Sequence, residues 1–450
     1  MDSAPPPDPS SGAAPAEALL ALHRAHPRAY PVLLETAAQL AGQPSHSLLL
    51  AAPGDRLVLY GDGRLEGPGR GSSFLGRLDE WWRAAGAPSP GELPFAGGWF
   101  LLLGYELAGE IEPVLRLPRD AGAVVAVAWR MHASIWHEHA SGRTGFVAEP
   151  GHESLPARMR ADLAAVRVAP PLPEPLALDV AEDDPAHYLA AVERALGHIA
   201  AGDLYQANLS RRWTARLRPD ATPADVYARL RRSNPAPFAG LADLGGFAVA
   251  SSSPERLVRV RGGLIETRPI AGTRARGQAA DEQAIRELMA HPKERAEHVM
   301  LIDLERNDLG RLCRPGSVHV DEYMTVESYA HVHHIVSNVR GELAEEATPA
   351  AVIRALFPGG TITGCPKVRC MQLIAELEGR PRGLYTGAMG YLAGDGSMDL
   401  NILIRSIAIE DGRADLRAGA GIVADSNPLR ELEETRAKAR GVLRALAERG

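Results

Sequence analysis

Ser251-Ser252-Ser253-Pro254-Glu255-Arg256-Leu257-Val258-Arg259-Val260-Arg261-Gly262-Gly263-Leu264-Ile265-Glu266-Thr267-Arg268-Pro269-Ile270-Ala271-Gly272-Thr273-Arg274 is the stretch around which the chain can be read. It follows the apolar run Phe247-Ala248-Val249-Ala250. Two β-rich runs about a Gly-Gly pair predict a hairpin turning at Gly262-Gly263. A proline before an acid, and a glycine after a small residue, let a cleft aim one carboxyl and bring backbone close to a ligand. The same pattern also fits an ordinary surface hairpin, and what flanks it separates the two readings.

Downstream, Asp281 to Ala290 predicts a helix broken at Pro292, with another from Lys293 to about Asp308. Upstream, Asp184-Pro185 opens a helix with an acidic cap and proline at the first position. Tyr188, Val192, Ala195 and Ile199 share one face of it, and Gly202 ends it. A strand follows from Leu204 to Trp213, with Gln206, Asn208 and Ser210 on one face and Tyr205, Ala207 and Leu209 on the other. A polar face within a core-like strand needs water or a ligand. Ser426-Asn427-Pro428 starts a last helix whose buried face carries Leu432, Ala439, Val442, Leu443 and Leu446.

The region before this is strand-rich and mixed, with Gly97 to Glu106 a buried-strand candidate bounded by glycines. Residues 1–16 read as a disordered tail, given Pro5-Pro6-Pro7 and Pro9-Ser10-Ser11-Gly12. Prolines at 170, 171, 173 and 175 mark 169–180 as a linker. The expected organisation is therefore a tail (1–16), an N-terminal region (17–168), the linker, and a C-terminal domain (181–450).

Across 450 residues, 45% hydrophobic and 23% charged residues are ordinary for a soluble protein. A formal charge of −7 argues against a nucleic-acid binder, which needs a concentrated basic face. The start of the chain lacks a basic segment followed by an apolar core, and no apolar run reaches the ~18–20 residues of a membrane helix. Three cysteines, Cys313, Cys365 and Cys370, lack metal-ligand spacing and fit a reducing cytoplasm.

Glu294 and Glu297 are three apart on one predicted helix, and Glu431 and Glu434 on another. Each pair shares a face, so two such helices across a cleft would offer an all-oxygen site for a hard cation such as Mg²⁺. Either pair alone is an ordinary solvated face. Arg405, after an apolar strand, suits a substrate carboxylate or a surface strand end. Gly419-Ala420-Gly421 could present backbone N–H groups to an anion or form a tight turn. Gly359 to Lys367 resembles a phosphate loop but fails as one, because Cys365 stands where lysine should follow Gly364. His331 and His333 would share a strand face opposite His334, so one metal could not easily take all three.

Taken in order, these segments resemble the chorismate-utilising enzymes, the family of anthranilate synthase component I, aminodeoxychorismate synthase component I, and isochorismate and salicylate synthases. The matching residues are Tyr205 to Arg211, Ser253-Pro254-Glu255-Arg256, Pro269 to Arg274, Glu294-x-x-Glu297 and Asp303-Leu304-x-Arg306-Asn307-Asp308-Leu309. They continue with Gly360-Thr361-x-x-Gly364-x-Pro366-Lys367, Tyr385-Thr386-Gly387-Ala388, Ile404-Arg405-Ser406, Gly419-Ala420-Gly421 and Glu431-x-x-Glu434-Thr435. They span about residues 184 to 445; the N-terminal half matches mainly at Gly104-Tyr105-Glu106 and Leu33-Leu34-Glu35.

The resemblance implies an α+β fold of large, mainly antiparallel β-sheets enclosed by helices, with the N-terminal part entering the same body. It implies that Glu297 and Glu434 contact Mg²⁺, with Glu294 and Glu431 supporting, and that the metal holds the ring carboxylate of chorismate. Glu255 would be the general acid that protonates the departing 4-hydroxyl. Tyr385, Arg405 and the Gly419 and Gly421 amides would hold the enolpyruvyl carboxylate, while Lys438, Thr361 and His334 match other active-site positions. Gly272 and Thr273 join the substrate-binding set through their motif.

Water-using members carry a lysine where Gln206 stands. Glutamine cannot act as a base, so the implied nucleophile is ammonia, delivered by a separate glutamine amidotransferase subunit. Aminodeoxychorismate synthases often carry lysine at the place of Ala271, where it adds to ring carbon 2; Ala271 cannot, which favours anthranilate synthase. Asn208 points the other way, since anthranilate synthases usually have an apolar residue there. So do Thr36 in the Leu-Leu-Glu-Ser position, the missing Gly-Arg-Tyr-Ser, and the short chain. The balance falls on aminodeoxychorismate synthase component I. Glu255 and the four glutamates of the metal motif are all present, which argues against a non-catalytic, ligand-binding descendant.

Overall fold

The hairpin forms as the sequence predicts. In the computed structural model, Arg256–Arg261 pairs antiparallel with Leu264–Thr267, joining Arg261 to Leu264 and Arg259 to Glu266. Gly262 and Gly263 have φ of 58° and 78°, the left-handed backbone that a tight two-residue turn demands and that glycine adopts without steric cost. The structure describes residues 15–38, 45–86, 95–170, 175–276, 281–328 and 332–447.

Every named strand pairing is antiparallel, and the pairings form one continuous ladder. From Ala177–Glu182 it passes through Gln206–Leu217, Arg413–Ile422, Ser406–Glu410, Phe247–Ser253 and Phe238–Asp243. It then enters the N-terminal region at Val32–Glu35, continuing to His46–Tyr60, Val124–Glu138 and Gly98–Leu103. It returns through Ala388–Ala393, Met398–Ile402 and the hairpin to Val332–Glu342. Phe247–Ser253 and Arg256–Arg261 follow each other in sequence yet lie far apart along this ladder. The chain crosses between them at Pro254-Glu255, where a proline without an N–H donor can interrupt pairing cheaply.

Helices cover the faces. Asp184 caps Pro185–Ala200 by accepting from the Ala186 amide at 2.9 Å. That helix, Lys367–Glu378 and Pro428–Ala447 close over Gln206–Leu217 and Arg413–Ile422 through Tyr188, Val192, Leu209, Leu373, Ile422 and Leu432. Pro292–Gly310 packs against Ile270–Ala275 and Val332–Glu342. The expected α+β architecture, antiparallel sheet enclosed by helices, is the one found.

Several local details differ from the sequence reading. The first helix, Pro15–Ala25, begins within the last two residues expected of the tail, because Leu19, Leu20 and Leu22 are buried; residues 1–14 lie outside the described residues. Ala177–Glu182, which begins in the expected linker and ends two residues beyond it, is a strand pairing with Gln206–Leu217. Tyr205 does not share the buried face of Ala207 and Leu209: it precedes the strand, is 71% exposed, and its amide bonds the Cys365 carbonyl. Gly419 and Gly421 form no tight turn; both lie within Arg413–Ile422, opposite Ser210 and Asn208.

Candidate active site

The crossing peptide holds Glu255 in place. Ser253 donates its hydroxyl to the Ile402 carbonyl at 2.5 Å and accepts from the Glu255 amide at 3.2 Å. The Glu255 carbonyl in turn accepts from the Ile402 amide at 3.0 Å. The carboxyl is buried, and Thr361, in the short 3₁₀ turn Gly360–Ile362, donates to its Oε1 at 2.6 Å. Burial pushes the Glu255 carboxyl up to about 7, against the Thr361 bond and the positive charges of Arg405 and Lys438. A carboxyl so placed still holds its proton near neutrality, with the Ile270 amide as a further partner.

Arg405 faces this carboxyl. Its backbone is left-handed, with φ of 51°, and its guanidinium makes no ion pair with any carboxylate among the described residues. A partly buried guanidinium that forms no such pair is suited to a ligand carboxylate. The Tyr385 hydroxyl lies beside it and donates to Asn208 Oδ1 at 3.3 Å; burial raises that phenol to about 12, so it stays protonated. Gly419 leaves the room for this cluster: a Cβ there would lie 2.6 Å from both Asn208 Oδ1 and the Tyr385 hydroxyl.

Beneath Asn208 lies a closed polar network. Glu378 accepts from the Ser210 amide, from Arg382 Nη2 at 2.7 Å and from Arg417 Nη2 at 2.9 Å, and Arg382 also donates to the Asn208 carbonyl. The motif-based reading gave Glu378, Arg382 and Arg417 no role, because a charged residue on a helix, in a loop or on a strand carries no local sign of a buried partner.

Gln206 Nε2 donates to Glu297 Oε1 at 2.7 Å, while its Oε1 is buried with no protein partner. A Cβ at Gly421 would meet Gln206 Nε2 at 2.5 Å, so this glycine too makes room for a site residue. Lys438 Nζ bonds the Gly419 carbonyl at 3.0 Å and Glu434 Oε1 at 2.6 Å. These shared contacts bring Glu297 and Glu434, from two separate helices, to the same end of the Gln206–Leu217 and Arg413–Ile422 pair. Glu431 lies one turn earlier, and both it and Glu434 act electrostatically on Tyr188.

Glu294 reaches the site from the other side. Gly272, with φ of 72°, makes a bulge beside Ala271, and a Cβ there would lie 2.2 Å from Glu294 Oε2. Ala271 is buried and pairs with Ile335. His334 Nδ1 bonds the Gly272 carbonyl at 3.3 Å; burial, with the nearby Arg405 charge, lowers the ring to about 4, so it is neutral at pH 7. The side chain of Thr273, and His331, lie outside the described residues.

The four glutamates supply oxygen donors alone. Among the described residues no three His, Cys, Asp or Glu side chains are grouped closely enough to hold a metal ion by themselves. That donor set fits Mg²⁺, which takes one or two carboxylates and completes its shell with water and substrate. No helix among the described residues is long and apolar enough to cross a membrane.

A family model described as "chorismate binding enzyme" matches residues 67–444. The aminodeoxychorismate synthase component 1 of Bacillus subtilis is 39% identical over 440 residues, 94% of this chain and 93% of that protein. An anthranilate synthase component I-like protein of Synechocystis is 43% identical over 371 residues, 79% of this chain and 74% of its own. The crystal structure of anthranilate synthase component I from Streptococcus pneumoniae superposes with a TM-score of 0.79 at 33% identity, covering 88% of this chain and 92% of that one.

Proposed function

Because the chain belongs to the family of chorismate binding enzymes, we propose that it is aminodeoxychorismate synthase component I, forming 4-amino-4-deoxychorismate from chorismate and ammonia for 4-aminobenzoate and folate synthesis. The observation that carries this choice is Asn208, an amide where anthranilate synthases usually have an apolar residue, in hydrogen-bond contact with Tyr385 at the anion pocket. Similarity to the Bacillus subtilis aminodeoxychorismate synthase along nearly its whole length supports it. Glu35, in the segment that senses tryptophan in anthranilate synthases, is committed to Tyr227 at 2.6 Å and Arg231 at 3.1 Å, so its carboxylate is not offered to an amino-acid effector.

Arg405 and Tyr385 hold the enolpyruvyl carboxylate. Glu255 gives its proton to the 4-hydroxyl, which leaves as water, while Thr361 steadies Oε1 of the carboxyl. Glu297 and Glu434, supported by Glu294 and Glu431, would hold Mg²⁺, which when bound neutralises the ring carboxylate and withdraws electron density from the ring. Gln206 offers its Oε1 as a hydrogen-bond acceptor but no base, which suits ammonia. The ammonia comes from a glutamine amidotransferase subunit, component II. Ammonia or water adds at carbon 2 as the 4-hydroxyl leaves, in the place that a lysine amine would fill; an incoming ammonia then bonds carbon 4, the group at carbon 2 departs, the surplus proton of the ammonia passes to solvent, and the enolpyruvyl group stays attached.

Ala271 favours a second reading, anthranilate synthase component I, because it provides no amine for carbon 2. The product separates the two. With chorismate, Mg²⁺ and ammonium salt, an aminodeoxychorismate peak convertible to 4-aminobenzoate by an added lyase is expected. Anthranilate fluorescence with free pyruvate would refute the proposal.

Gly419→Ala tests the anion pocket. The added methyl also lies 2.7 Å from the Leu209 carbonyl, a backbone atom that cannot swing aside, so the strand must shift locally and displace Tyr385 and Asn208 as well. A loss of roughly 10²-fold in kcat/KM is expected with unchanged circular dichroism; wild-type kinetics would remove Gly419 from the site.

A further inference from the structure

Gly104-Tyr105-Glu106 is a motif from the first half of the chain to which the steps above give no task. It follows the strand Gly98–Leu103, and Tyr105–Leu107 forms a short 3₁₀ turn. The Glu106 carboxyl is buried, 5% exposed, and places its two oxygens on two successive backbone amides. Oε1 accepts from the Arg382 amide at 2.7 Å and Oε2 from the Gly383 amide at 3.1 Å. The Gly383 carbonyl accepts in return from the Tyr105 amide at 2.8 Å. Gly104 lets the two segments approach this closely, since a Cβ there would lie 3.2 Å from that same carbonyl. Burial pushes the Glu106 carboxyl up, against the amide bonds and the Arg417 charge.

The two residues held in this way lead directly into the anion pocket. The Arg382 carbonyl accepts from the Tyr385 amide at 3.2 Å, so Arg382 closes the turn that presents the phenol. The Arg382 guanidinium lies 4.9 Å from the centre of the Tyr105 ring and 5.5 Å from that of the Tyr385 ring. It also donates to the Asn208 carbonyl at 2.5 Å, and the Asn208 side chain meets the Tyr385 hydroxyl.

We infer that Glu106 is a positioning residue for the anion pocket: its carboxyl fixes the Arg382 and Gly383 amides and so sets where Tyr385 holds its hydroxyl for a substrate carboxylate. The inference rests on the reading of Tyr385 as a carboxylate-binding group. Two adjacent N–H donors need two acceptor oxygens, which a carboxyl supplies and a side-chain amide does not. A donor left buried and unpaired is costly, so the turn would move to satisfy it. The first half of the chain thus acts on the substrate through Tyr385 while touching no substrate itself.

Glu106→Gln keeps the length and one oxygen, but turns an amino group toward a backbone N–H. A substrate carboxylate is held alike before and during the reaction, so KM for chorismate should rise about tenfold with kcat within about twofold of wild type. Tyr385→Phe should remove this dependence. In that background Glu106→Gln should change KM by less than about twofold, a coupling that a general loosening of the fold would not produce. Amide exchange resolved to single residues gives a readout without chorismate. Exchange at Arg382, Gly383 and Tyr385 should speed up about tenfold in Glu106→Gln, while the Gly98–Leu103 strand exchanges as in wild type. An unchanged KM, an equal rise in both backgrounds, or a Tyr385 amide as protected as in wild type overturns the inference. Should Glu106→Gln fail to fold, Glu106→Asp, which keeps both oxygens but draws them back by one carbon, carries the same measurements. If the wild type makes no product from chorismate, the functional reading fails alone, and the Tyr385 amide still judges Glu106.

Discussion

Glu255→Gln is expected to lower kcat by about 10²–10⁴-fold, the range over which a positioned proton donor contributes, while leaving chorismate affinity within a few-fold of wild type. Glutamine retains an oxygen for the Thr361 hydroxyl at the position now bonded at 2.6 Å, so the pocket keeps its shape and loses only the proton. Steady-state kinetics paired with calorimetric titration of chorismate separates the two quantities. A kcat within tenfold of wild type would assign the proton to another group. In the wild type the acid works while protonated, so activity should be high below pH 7 and fall as pH rises through about 7.

The same residue links pH to stability. Its folded carboxyl titrates near 7 and its unfolded one near 4.3, so between these values the folded chain holds a proton that the unfolded chain has released. That contribution is complete below the unfolded value and is lost as pH rises through the folded one. Glu255→Gln removes this loss, and the melting temperature at pH 8 should equal or exceed that of wild type.

Glu378→Ala carries the largest expected cost in stability. Burial opposes ionisation of Glu378, yet Arg382 and Arg417 outweigh it and hold the carboxyl below the usual range. The side chains of Glu378, Arg382 and Arg417 are 4%, 1% and 5% exposed, so removing the acid strands two guanidiniums away from water. Breaking a buried pair from one side costs about 3–5 kcal/mol, readable as a shift in the urea midpoint at constant slope. A cost below about 1 kcal/mol would mean that water enters and solvates the arginines.

Legibility followed the range of the interactions. The hairpin could be read because Gly262-Gly263 and the flanking alternation are local signals. The helix beginning at Pro185 could be read for the same reason, since its cap bond spans two residues. Gln206, Glu255, Tyr385 and Arg405 were marked by motif, and the structure brings Glu255, Tyr385 and Arg405 within electrostatic reach of one another, with Gln206 beside Gly421 on the adjoining strands. The entry of Val32–Glu35 between Phe238–Asp243 and His46–Tyr60 left no local trace, since its partners lie about two hundred residues apart. Glu378 was illegible for a related reason: a helical glutamate looks the same in sequence whether it meets water or a buried partner. Gly419 and Gly421 were read as an anion loop or turn because glycine suggests flexibility. They lie inside a strand instead of a turn, and there the absence of a side chain leaves room for Tyr385, Asn208 and Gln206.

The ladder has one further consequence. It runs from strands of the second half of the chain into the first half and back out, so the N-terminal strands act as its keystone. Without them, Phe238–Asp243 and Ala388–Ala393 would each present a row of unsatisfied amides and carbonyls, the edges on which aggregation is templated. The candidate site residues thus all come from the second half, while the first half covers two of its strand edges. A chain cut between Leu155–Ala165 and Ala177–Glu182 is suited to fragment complementation, with one piece closing the other's gap.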